Sequence, residues 1–150
     1  MLTVRDHIDI AASVEKAFAY MDAPAHQTDI TPSLTRSSLV ERLQNGGSRA
    51  AYTYRVVGLS LSGEVRATDY VPNERIIWTM SGALQGTIRW YFAQSNTSHT
   101  RFTYAATYAL PGPAVLHPVL TPLVRRYNER ELARLLRNLK AELENRPSNV

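Results

Sequence analysis

The sequence contains no cysteine, so disulfides, thiolate metal centres and cysteine nucleophiles are excluded. Lysine is nearly missing too. Lys16 and Lys140 stand beside a large majority of arginines, for a net charge of +4. Those arginines are spread along the chain, often next to acids, as in Glu64-Val65-Arg66 and Arg130-Glu131. A nucleic-acid surface gathers basic groups on one face with aromatics between them, so no nucleic-acid partner is expected. No apolar run approaches the roughly 20 residues that span a bilayer. The start, Met1-Leu2-Thr3-Val4-Arg5-Asp6, lacks the basic stretch and apolar run of a signal peptide. A cytoplasmic protein without an integral membrane segment is the expectation. The four histidines, His7, His26, His99 and His117, are not paired with each other or with acids at ligand spacing. Neither a metal nor another cofactor is therefore expected. A Gly-x-Ser-x-Gly elbow and a glycine-rich phosphate loop are also missing.

What is present is patterned hydrophobicity. The 150 residues suit one domain, and no repeat or linker interrupts them. Residues 1–144 are expected to form that domain, and residues 145–150 a disordered tail. Leu2, Val4, Ile8 and Ile10 alternate with polar residues, a period-2 strand. Ser13 is placed to cap a helix carrying Val14, Ala17, Phe18 and Met21 at helical spacing. Residues 25–31, between Pro24 and Pro32, are too short and polar for more than an irregular turn or a very short helix. Six strands follow, over residues 37–43, 48–57, 59–70, 75–80, 84–93 and 101–110. Asn45-Gly46-Gly47 is a strong hairpin signal, and Val71-Pro72-Asn73 breaks the chain again. Pro111-Gly112-Pro113 ends the strands, and residues 114–144 read as one long helix with Pro118 and Pro122 in its first turns. Its apolar stripe runs Thr121, Val124, Asn128, Leu132, Leu135, Leu136, Leu139, Leu143.

The outward charges assign the faces. With Arg49, Arg55, Glu64, Arg66, Arg75, Arg89 and Arg101 turned to water, five strands present one consistent inner face. That face must be covered, and only the last helix is long enough. The fold class is therefore α+β, a curved antiparallel seven-stranded sheet around a long C-terminal helix. The inner face mixes large aromatics and phenols with Gly63, Gly86, Ala67 and Ala106. Small residues, amphipathic aromatics and a few polar groups suit the lining of a ligand cavity. The alternative is that the glycines mark strand bends and the tyrosines sit at wet sheet ends. The candidate lining is Tyr52, Tyr54, Leu61, Val65, Trp78, Met80, Ile88, Trp90, Tyr104, Tyr108, Val124 and Asn128.

The element order, with Ile8-Asp9-Ile10-Ala11-Ala12-Ser13 leading into the first helix, resembles the START-like (SRPBCC) superfamily and its helix-grip fold. Further matching pieces are Val71-Pro72-Asn73-Glu74-Arg75, Thr100-Arg101-Phe102-Thr103-Tyr104 and the ending Leu136-Arg137-Asn138-Leu139-Lys140-Ala141-Glu142-Leu143-Glu144. The likeness is strongest to the branch labelled polyketide cyclase/dehydrase. It implies a deep apolar cavity that binds or carries a lipid, sterol, quinone or polyketide, and it implies no single reaction. Members of this branch often carry a tryptophan soon after the first helix. Here Ala25-His26-Gln27-Thr28-Asp29-Ile30 has none.

Three readings follow: a binder of a small hydrophobic or aromatic molecule, a cyclase or dehydratase that moves protons, or a module with a packed interior. Convergence of Asn128, a tyrosine hydroxyl and an ionisable group would favour the enzyme. His26 and His117 lie where such a fold opens its cavity, as possible acid–base groups or plain surface residues. Asp6 and Asp69 share the inward phase, either near the cavity or at wet sheet ends. No catalytic residue is assigned, and the pattern fixes no oligomeric state.

Overall fold

Turn chemistry joins strand to strand along most of this chain, and the computed structural model shows the resulting meander. It describes residues 1–56, 58–109, 115 and 117–145, without the side chain of His117. β1 (Leu2–Ile10) leads to α1 (Val14–Asp22), a single 3₁₀ turn (Pro24–His26) and α2 (Gln27–Ile30). Then come β2 (Leu34–Arg42), β3 (Ser48–Val56), β4 (Leu59–Val71), β5 (Arg75–Gly82), β6 (Gly86–Asn96) and β7 (His99–Tyr108). The chain closes on α3 (His117–Asn145). All seven strands form one antiparallel sheet in the order β1-β7-β6-β5-β4-β3-β2. The expected placements of Val57, Leu110, Pro111-Gly112-Pro113, Ala114 and the tail beyond Asn145 lie outside the described residues.

Local chemistry explains the joints. Ser13 Oγ accepts the Lys16 N–H at 3.2 Å and starts α1. Gly46 holds φ at 94° in the β2–β3 turn, where a side chain would be strained. Asn45 fixes that turn by accepting the Gly47 N–H at 2.8 Å and donating to the Ala67 carbonyl at 2.9 Å. β2 begins three residues earlier than expected, at Leu34, which is buried opposite Tyr54. Its solvent-facing residues gave no alternation to read.

The core lies where the C-terminal half of α3 crosses the sheet. Leu132, Leu135, Leu136, Leu139 and Leu143 are buried there with Phe18, Phe92, Phe102 and Ile76. Polar clasps fix this half of the helix. Glu144 accepts the Ala11 N–H at 2.7 Å, Lys140 donates to the Asp9 carbonyl at 2.9 Å, and Lys16 donates to the Leu143 carbonyl at 3.0 Å. Asn138 ties the same stretch to α2 by donating to the Ile30 carbonyl at 2.9 Å.

The Ala11 N–H, with Lys140 beside it, holds the Glu144 carboxyl below the usual glutamate range. A carboxylate whose folded value lies below its unfolded one adds stability above the unfolded value. That share is lost as pH falls through the folded value. Glu144→Gln should therefore melt below wild type at neutral pH, with the two melting temperatures converging on acidification. Parallel melting curves across that range would mean the clasp contributes nothing.

Candidate functional site

The N-terminal half of α3 stands off the inner face of the sheet, though Arg125 holds the sheet's edge by donating to the Thr3 carbonyl on β1 at 3.1 Å. Val119 and Leu123 are about two-thirds exposed, at 67% and 65%. Beneath this half lies a cavity of about 440 Å³, within the roughly 300–1,000 Å³ typical of small-molecule sites. β1 contributes Val4, β3 contributes Tyr54 and Val56, β4 Leu61, β5 Met80 and β6 Ile88. β7 adds Tyr104, Ala106 and Tyr108, and the chain around β2 adds Thr31 and Ser33. α3 closes the space with Val124, Tyr127, Asn128, Glu131, Leu132 and Leu135. Leu123 also lines it while exposed, so the cavity opens beside the first turns of α3.

All twelve candidate lining residues border internal space. Tyr54, Leu61, Met80, Ile88, Tyr104, Tyr108, Val124 and Asn128 surround the main cavity. Tyr52, Val65, Trp78 and Trp90 border a neighbouring void of about 50 Å³. Tyr54, Ile88 and Tyr104 wall both. Trp78 and Trp90 meet edge to face at 5.3 Å, a favourable aromatic geometry. Tyr52 has a structural role. Its hydroxyl donates to the Ser81 carbonyl at 3.0 Å and accepts the Leu84 N–H at 3.2 Å.

The polar groups gather on one side. The Asn128 side-chain N–H₂ is buried and has no partner among the described residues. One turn later on the same helix, Glu131 accepts the Ser33 N–H at 2.7 Å. The Ser33 hydroxyl bonds the Tyr127 hydroxyl, and the Ser33 carbonyl accepts the Arg55 N–H at 2.8 Å. Ser33 thus staples the entry to β2 onto both α3 and β3. Burial pushes the Tyr54 phenol far up, with Tyr52 and Glu131 adding to it. Tyr104 is raised by burial too, with Tyr54, Tyr108 and Glu131 contributing. Tyr108 is pushed up to about 12 by burial, partly offset by Arg125. These phenols keep their protons, so they offer donors rather than bases.

Glu131 went unnoticed in the sequence because the neighbouring Arg130 suggested a solvated face. The signal was there. Val124, Asn128, Glu131 and Leu135 follow the i, i+4, i+7, i+11 spacing of one helix face.

Other candidates fall elsewhere. Asp6 keeps the inward phase opposite Tyr104, but β1 is an edge strand. Its carboxylate is exposed in a surface groove with Arg125 and Glu129 and accepts the His7 N–H. Asp69 does not face inward. A bulge between Ala67 and Asp69 reverses the alternation, so Tyr70 turns inward against Phe18 and Asp69 pairs outward with Arg75 at 2.7 Å. His26 stacks on Tyr20 at 4.3 Å and bonds its carbonyl through Nδ1, away from both voids. His7 and His99 are exposed, and the His117 side chain lies outside the described residues. Gly63 and Gly86 do not leave room for a ligand. A Cβ on Gly63 would meet the Ser81 carbonyl and Tyr52, and one on Gly86 would meet β7 backbone at Thr107 and Tyr108. Both glycines serve close strand approach. The cavity's small wall residue is Ala106. Among the described residues no group of three His, Asp or Glu could hold a metal ion, and no helix is long and apolar enough to cross a membrane.

Comparison with known proteins places this geometry. A family model described as polyketide cyclase/dehydrase and lipid transport matches residues 1–144. No curated protein matches. Among solved structures, a Thermus thermophilus protein aligns with a TM-score of 0.83 at 17% identity, covering 95% of this chain and 97% of its own. The aromatase/cyclase Zhui from a Streptomyces species aligns at 0.83 with 14% identity, covering 97% and 94%. A START superfamily protein from Mycobacterium smegmatis aligns at 0.76 with 17% identity, covering 95% and 97%. At these identities the likeness is one of fold.

Because the Asn128 amide donates to nothing within the described protein, Asn128→Leu removes no internal bond. It should melt at or above wild type. A loss of more than about 1 kcal/mol, the scale of one net hydrogen bond, would show that the amide supports the fold.

Proposed function

The chain belongs to the polyketide cyclase/dehydrase and lipid transport family, and from that premise we propose that it binds a small, mainly apolar molecule between α3 and the sheet. The carrying observation is the 440 Å³ cavity, walled mainly by apolar and aromatic side chains with a few polar groups among them. A packed interior would bury these side chains against each other. An open space costs the dispersion contacts its walls forgo, and a guest restores them. The mouth beside Leu123 offers a route in. Lipids, quinones and polyketides all fit this description, as carried or stored ligands.

A second reading is favoured by one specific arrangement. Asn128, Glu131, Tyr54 and Tyr104 border the same cavity, so an amide donor, a carboxylate and two protonated phenols meet there. A cyclase or dehydratase needs such a set, with the carboxylate to move a proton and donors to polarise a carbonyl.

Native mass spectrometry of freshly purified protein tests the first reading by the mass of a co-purifying molecule. The matching variant is Ala106→Phe, which projects a ring into the cavity. It should abolish co-purification and uptake of an apolar fluorescent probe while leaving the protein folded. Unchanged uptake would remove the cavity from consideration as the binding site. Conversion of an added ketide chain by wild type, lost in Glu131→Gln, would favour the enzyme.

A further inference from the structure

The two voids, taken together, contain one side chain with a formal charge among the described residues, and it is an acid. Glu131 lines the main cavity; no Lys, Arg, Asp or second Glu borders either space. One carboxylate oxygen receives the Ser33 N–H. That bond fixes the group's orientation and leaves the second oxygen with lone pairs to offer. Around it stand groups of opposite polarity: the unpartnered Asn128 N–H₂ and the phenol protons of Tyr54 and Tyr104. The cavity therefore presents an acceptor that carries charge, flanked by neutral donors.

From this arrangement, and resting on the binding reading above, we propose that Glu131 determines ligand class: the cavity takes a neutral molecule bearing a hydroxyl group and rejects carboxylate-bearing ones. A hydroxyl satisfies both halves of the arrangement. Its proton goes to the free oxygen of Glu131, a charge-assisted bond, and its oxygen accepts from Asn128 or a phenol. An ether or ester of the same shape can only accept, which leaves the carboxylate desolvated and unmatched. A fatty acid or other carboxylate would place a second negative charge against Glu131 in apolar surroundings, where like charges repel far more than in water. A purely structural role would need only the one oxygen bonded to Ser33, which a glutamine carbonyl supplies equally well.

The test uses three probes with one ring system: 2-naphthol, 2-methoxynaphthalene and 2-naphthoate, titrated calorimetrically near neutral pH into wild type and Glu131→Gln. Wild type should bind the naphthol about tenfold or more tighter than the ether, the scale of a lost bond to a charged group, and should bind naphthoate weakest. In Glu131→Gln the naphthol preference should shrink toward parity, and naphthoate binding should strengthen. Glu131→Asp, which keeps the charge but draws it back by one methylene, should fall between them and guards against a folding defect in the first variant. Equal binding of naphthol and ether by wild type, or naphthoate binding as tightly as naphthol, would overturn the assignment to Glu131 while leaving the cavity as a binding site. Failure of all three to bind would overturn the binding reading itself, and this inference with it.

Discussion

One helix has to cover the inner face of seven strands, and α3 does this unevenly. Its C-terminal half presses Leu132, Leu135, Leu136, Leu139 and Leu143 into the sheet and is clasped to β1 and α1 by Lys140, Glu144 and Lys16. Its N-terminal half carries Val124, Asn128 and Glu131 on the same stripe and stands off. The first half of the helix can leave the sheet because the second half holds on. Each buried leucine contributes roughly 1.5–3 kcal/mol relative to exposure, and five of them anchor the helix. The cavity is thus a consequence of how apolar side chains are distributed along one helix.

The space also stays open because its walls resist collapse. Two of its wall rings are held by neighbours outside it, Tyr54 by Tyr52 at 5.4 Å and Tyr104 by Trp90 at 6.4 Å. Ser33 pins the strand entry opposite α3 with all three of its polar groups engaged. A wall braced on both sides cannot relax inward to fill a void, which is why cavities in well-packed proteins persist at a cost. The same bracing holds one carboxylate oxygen of Glu131 against the Ser33 N–H.

The fold was legible in the sequence because charge and apolar residues alternate cleanly on five strands. Face assignment needed only parity, and of the inward aromatics Tyr52, Tyr54, Trp78, Trp90, Tyr104 and Tyr108 border the two voids, while Phe92 and Phe102 are packed in the core. Parity failed where the ladder slips. The bulge after Ala67 inverted Asp69 and Tyr70, and a single inserted residue leaves no mark in an alternation pattern. The glycines misled for a related reason. Absence of a side chain reads the same whether the space belongs to a ligand or to a neighbouring strand, and at Gly63 and Gly86 it belongs to Ser81 and β7. Ser33 was invisible because its partners, Glu131 and Arg55, are distant in sequence. Glu131 was visible by spacing but hidden by the habit of assigning a charge to solvent.

Placing the polar groups on α3 rather than on the sheet separates two tasks. A strand residue in the inner face sits in a ladder with its neighbours, as Tyr54 does with Leu61 and Ala106 with both Val4 and Ile88. A helix satisfies its own backbone, so a side chain on α3 can be exchanged without breaking a strand ladder. Asn128, whose amide nitrogen has no partner among the described residues, can therefore change without altering the strand pairing or the leucine grip, whereas Glu131 also holds Ser33 at the entry to β2. The C-terminal half of the stripe holds the sheet, and the N-terminal half lines the cavity. Solved structures with 14 to 17% identity share this architecture. Sheet and leucines constrain the backbone, while Val124 and Asn128 border open space and are held by fewer packing partners than the leucines.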